Sequence, residues 1–163
     1  MLFRSTPSNS FLANQWNHVV FTRNSSNNLA VFINGTRQYY TASNTYNYGL
    51  LSGTLGIGIA ETGRSGYYFG GYISNFRLFK SAYYDPTQTT ITVPTTALTA
   101  VSGTALLTCQ SNRFIDNSTN AFAISVAGGT PSVQRFSPFN PTASYDTATI
   151  GGSGYFEIGR AHV

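Results

Sequence analysis

Charged residues are scarce in this 163-residue chain: 9% of positions, with nine Lys and Arg against five Asp and Glu. A soluble domain ordinarily carries about 25%. Lys80 is the sole lysine, Met1 the sole methionine, and Glu61 and Glu157 the only glutamates. The side chains that furnish exposed helix faces are therefore missing, and no amphipathic helix of useful length can be drawn. One cysteine, Cys109, excludes an internal disulfide and leaves zinc without the three or four ligands it needs. No run of about 18 apolar residues offers a membrane span, and residues 1–10 lack the charged-then-apolar order of an export signal. The net charge of +4 is scattered without a basic stripe, so nucleic-acid binding has no footprint.

What remains is rich in core material, at 41% hydrophobic and 15% aromatic. Polarity comes from 18 Ser, 21 Thr and 14 Asn, about a third of the chain. Those residues favour strands and turns over helices. The length suits one domain, or one domain and part of another. An all-β protein follows.

Trp16–Arg23 is β-branched and aromatic, and Asn24–Asn28 after it is a turn cluster. Leu29–Ile33 is apolar at both parities, as a strand buried on both faces would be. It ends at Asn34-Gly35, the pair that best tolerates the two positive φ angles of a type I′ turn. Thr36–Thr41 returns antiparallel, giving a three-stranded meander. Leu55–Ile59 reads as a glycine-punctuated strand, and Tyr67–Phe79 as a long one, bent at Gly70-Gly71 and interior to its sheet. A Thr-rich crossover spans 86–100. Ala105–Cys109, Phe114-Ile115, Ala121–Ala127 and Val133–Phe136 are further strand candidates. Many short strands between Gly, Asn and Pro turns point to a sandwich.

Residues 157–163, Glu-Ile-Gly-Arg-Ala-His-Val, continue none of this patterning. They back-translate to a common sequencing-adapter string and read as a scar, so the chain is expected to be a fragment of a longer protein.

Trp16-x-His18-Val19-Val20, then Arg23, then Leu29-x-Val31-Phe32-Ile33-Asn34-Gly35 resembles the centre of a laminin G-like domain of the concanavalin A-like lectin/glucanase superfamily. Phe69–Phe79, containing Gly71 and Arg77, resembles that family's closing strand. Leu106-Leu107, Asp116-Asn117-Ser118, Gly128-Gly129, Ser137-Pro138-Phe139 and Gly154-Tyr155-Phe156 resemble the opening strands of another copy. The wording is similar to tandem-repeat structural proteins of marine tailed phages. The resemblance implies an antiparallel jelly-roll β-sandwich, incomplete or assembled from two partial copies. Residues 1–100 would be the later part of one copy and 101–156 the start of the next. It further implies a virion location, on a phage tail or capsid surface, or alternatively an extracellular or cell-surface one. Other virion or repeat domains would be neighbours, with no membrane insertion.

The same scarcity of charge constrains chemistry. Glycoside hydrolysis needs two carboxylates flanking the scissile bond, and Glu61, Asp85, Asp116 and Asp146 stand far apart. These four also fall short of the six to eight oxygens that calcium takes. Calcium is implied for complete family members and is not supported here, so no cofactor or metal is expected. Turn or cap roles suit the acids better. His18, within a strand, reads as a packed histidine, and Cys109 as a small buried hydrophobe. The chain is expected not to be an enzyme.

The binding signal is tyrosine. Tyr46, Tyr48, Tyr67 and Tyr68 in the loops, and Tyr83 and Tyr84 near the crossover, can offer flat amphipathic faces to sugar rings, with Arg64 and asparagines as donors. Tyrosines merely covering sandwich edges are the competing reading. Surface carbohydrate is the expected ligand, and a purely architectural repeat without ligand is the alternative. Trp16, His18, Arg23, Asn34, Gly35, Gly71 and Arg77 are expected to hold the fold rather than the ligand.

Overall fold

A computed structural model describes residues 10–47, 55–59, 68–126, 130–139 and 153–156. Eight strands follow in order: β1 (Val19–Arg23), β2 (Leu29–Ile33), β3 (Thr36–Thr41), β4 (Gly71–Ile73), β5 (Phe76–Phe79), β6 (Thr104–Thr108), β7 (Ser132–Gln134) and β8 (Ser153–Phe156). Among the described residues the architecture is all-β, and no helix is long and apolar enough to cross a membrane. The strands form three sheets, ordered β1-β2-β3, β4-β8-β7 and β5-β6. The β1–β2, β2–β3, β4–β8 and β7–β8 pairings are antiparallel. Two compact units result, Met1–Asn47 with Phe79–Thr95, and Tyr48–Leu78 with Thr96–Val163.

In the first unit the expected meander forms. Every residue of β2 is buried, as its unbroken apolar run requires. The turn before it closes through Asn27 N–H to Asn24 O (3.0 Å) and Asn24 N–H to Asn28 O (3.0 Å), with Asn27 at φ 61°. An asparagine tolerates that left-handed backbone better than most residues. Asn34 and Gly35 have φ of 50° and 83°, the type I′ geometry. Pairing of β2 with β3 shifts register between Val31 and Phe32.

The second unit departs further from expectation. Leu55–Ile59 makes no strand. Gly58 turns to φ 78°, and only Ile59 bridges, to Tyr68. The long segment to Phe79 is two strands, because Asn75 at φ 55° breaks the pleat between β4 and β5. It is not a sheet interior, since Tyr72 and Leu78 are exposed. Phe114-Ile115 and the described residues of Ala121–Ala127 are loop.

That loop has a task at β6. A strand edge bares every second residue's N–H and C=O, and at Leu107 and Ala105 the loop supplies their partners. Asp116 Oδ1 accepts from Leu107 N–H (3.1 Å), and Asn117 N–H donates to Leu107 O (2.7 Å). Asn120 Nδ2 donates to Ala105 O (2.8 Å), and the Ser118 hydroxyl, 3.2 Å from that oxygen, shares its one hydrogen between it and the Asp116 carboxylate. Side chains thus stand where another strand would pair, and Thr104–Gln110 lies buried behind them.

Candidate carbohydrate-binding surface

The tyrosine-bearing turn after β5 is fixed to the first unit's sheet by its own backbone. Thr22 Oγ1 donates to Tyr84 O (2.8 Å), which explains a threonine buried in β1. Arg37 Nη1 donates to Pro86 O (3.2 Å) and Thr87 O (2.8 Å), and Pro86 is fully buried. Asp85 Oδ1 accepts from Thr87 N–H (2.9 Å), closing an Asx turn. The hydrogen bonds from the Thr87 amide and side chain hold the Asp85 carboxyl below its usual range, so it is ionised at neutral pH.

On this anchored turn the aromatic rings stack. Tyr83 lies on Phe79 with centroids 4.6 Å apart and planes 18° from parallel, and meets Tyr84 edge-on at 4.9 Å. The Tyr84 hydroxyl donates to Thr92 O (3.4 Å). Tyr83, though braced by two other rings, remains 50% exposed. The sequence marks Tyr83 and Tyr84 but not Phe79, whose place behind Tyr83 depends on the three-residue turn between them.

A second aromatic stands on the 42–47 loop. Arg23 Nη1 donates to Tyr46 O (2.6 Å) and Asn44 O (3.4 Å), holding the loop while the Tyr46 side chain is 67% exposed. Tyr68 is half-buried and its backbone is bridged to Ile59, which makes it a poor platform. Tyr48, Arg64 and Tyr67 lie outside the described residues. Of the tyrosines expected to bind, Tyr46 and Tyr83 are both described and well exposed.

The motif residues make the following contacts. Asn34 Oδ1 accepts from His18 N–H (2.9 Å), Asn34 N–H donates to His18 O (2.8 Å), and Asn34 Nδ2 donates to Asn17 Oδ1 (2.9 Å). His18 and Trp16 are half-buried beside this knot. Gly35 is buried against the crossover. Gly71 has φ 158°, and a Cβ there would stand 3.0 Å from the Phe69 ring. Arg77 Nη1 donates to Thr99 O (3.2 Å). Asp116 is the β6 cap already described. Among the described residues no cluster of three or more His, Cys, Asp or Glu could hold a metal ion.

Residues 3–87, just over half the chain, match the family model Laminin_G_3, described as the concanavalin A-like lectin/glucanases superfamily. No curated protein and no solved structure matches the chain.

Proposed function

The chain belongs to the concanavalin A-like lectin/glucanase superfamily, a lineage that supports a carbohydrate-binding or architectural module, and from that premise we propose a non-enzymatic, lectin-like module that binds surface carbohydrate. The observation that carries this reading is the braced, half-exposed Tyr83. A pyranose presents a face of C–H bonds, weakly positive, that complements the negative face of an aromatic ring. A ring already immobilised by Phe79 and Tyr84 loses little rotamer freedom on binding. Asp85, two residues on and ionised, offers an acceptor for sugar hydroxyls. The two described acids, Asp85 and Asp116, cap a turn and a strand edge and stand in no carboxylate pair of the kind hydrolysis needs, while Glu61 and Asp146 lie outside the described residues. The setting we favour is the surface of a phage virion, where such modules would meet host glycans.

A glycan array probed with the chain, followed by titration of any hit, tests the reading. Tyr83→Ala is expected to weaken binding at least tenfold, about 1.4 kcal/mol, while Tyr83→Phe keeps most of the affinity. Absence of any glycan bound by the unsubstituted chain would sink the proposal in favour of the architectural reading.

A further inference from the structure

The boundary between sequence copies and the boundary between folded units do not coincide. On the resemblance, residues up to about 100 close one laminin G-like copy and those after it open the next. The second compact unit instead joins Tyr48–Leu78 to Thr96–Val163. We propose that the opening strands of each copy complete the sheets left by the closing strands of the copy before it, so that the folded unit straddles the copy junction. This rests on the two-copy reading of the sequence and is independent of carbohydrate binding.

Three observations converge. First, the sheets themselves are mixed: β4, from the closing segment, pairs with β8, from the opening segment, matching Tyr72 with Tyr155 and Ile73 with Gly154. β8 carries β7 on its other side, and β5 pairs with β6. Second, a polar knot ties the segments where they meet. Asn75 N–H donates to Cys109 O (3.0 Å), Asn75 Oδ1 accepts from Leu98 N–H (2.8 Å) and Gln110 Nε2 (3.1 Å), and Gln110 Nε2 also donates to Leu98 O. Asn117 Nδ2 donates to Gln110 Oε1 (3.3 Å). Gln110 is buried, so these bonds are needed to offset its desolvation. The left-handed backbone of both Asn75 (φ 55°) and Cys109 (φ 59°) is held at this meeting point. Third, the outer edge of β6 is capped by residues 116–120, which leaves β5 as its strand partner. A capped donor strand completes one neighbour and recruits no further chain.

The partner of each opening segment is therefore the preceding copy in the same polypeptide. Leu98 and Thr99, at the end of the crossover, are bonded to Asn75 and Arg77 within the second unit.

Cross-linking the 163-residue chain tests this. Opposed residues of an antiparallel pair have Cα atoms about 4.5–5.5 Å apart, within the range of about 4.4–6.8 Å that a disulfide spans. The chain carrying Tyr72→Cys and Tyr155→Cys, oxidised at high dilution with glutathione disulfide, is expected to lose two hydrogens per monomer and to yield one joined peptide containing both positions. Cys109 is buried and does not compete. Cross-links formed only between chains, or none in a chain that still folds, overturn the proposal. If the variant fails to fold, NMR on the unsubstituted chain decides. Cross-strand contacts between Ile73 and Gly154 should persist in labelled protein diluted into unlabelled protein, and their loss on dilution, or absence, overturns it equally.

Discussion

Asp116 is the one acid of the second unit among the described residues, and its removal gives a sharp test of the capped-edge reading. Its carboxylate accepts from Leu107 N–H (3.1 Å), Ser118 N–H (2.8 Å), Ser118 Oγ (2.9 Å) and Phe122 N–H (3.0 Å). In Asp116→Ala these donors fare differently. Phe122 is exposed and its amide can turn to water, whereas Leu107 is 1% exposed and its amide cannot. Stranding one buried donor costs about 1–3 kcal/mol. With the Ser118 amide, in a buried residue, partly rehydrated, the total comes to about 2–4 kcal/mol. Asp116→Asn keeps one acceptor oxygen and is expected to lose about half as much. Urea unfolding followed by far-UV circular dichroism gives the size, and hydrogen exchange at the Leu107 amide gives the place. Trp16 belongs to the other unit, so its fluorescence is not the readout. A midpoint unchanged to within about 0.5 kcal/mol, with Leu107 still protected, would refute the reasoning. The acid limb supplies a second check. Burial raises the Asp116 pKa, but the hydrogen bonds from the Ser118, Leu107 and Phe122 amides and from the Ser118 hydroxyl together outweigh it and leave the folded value lowered. A lowered folded pKa contributes stability above the unfolded value, near 3.8, that is lost as pH falls through the folded value. Stability should thus be flat near neutrality and fall below about pH 4, with a shallower fall in Asp116→Asn.

Gly35→Ala should destabilise the meander by about 2 kcal/mol or more, since φ is +83° and the new Cβ would stand 2.9 Å from Ile91 O and 3.1 Å from Val93 Cγ2; thermal melting read by Trp16 fluorescence checks it. The Cys109 thiol, pushed up to about 11 by burial, should resist iodoacetamide at pH 8 until the chain is unfolded in urea, and rapid alkylation of the folded chain would contradict its placement.

Legibility followed the range of the interactions. The β2 run and its Asn-Gly turn were readable because their causes are local: five consecutive apolar residues ask for cover on both faces, and two adjacent positive φ angles ask for those residue types. Phe114-Ile115 and Ala121–Ala127 misled because apolar and β-branched content alone does not distinguish a strand from a loop that caps one. The deciding residue there is Asp116, whose three amide partners reach back to Leu107 and forward to Phe122. The break at Asn75 was invisible for the same reason. Glycines at 70 and 71 offered a cheaper place to bend, and the left-handed turn falls on an asparagine because its side chain must reach Leu98 and Gln110, contacts set by residues up to 35 positions away. Tyr83 shows the same logic at the surface. The pair near the crossover was legible as a candidate, but its value as a platform comes from Phe79 beneath it, on a turn that Thr22 and Arg37 hold through backbone carbonyls. Substituting Thr22 or Arg37 should therefore disturb the platform without touching a ring, which separates a site built by the sheet from one that tyrosine content alone supplies.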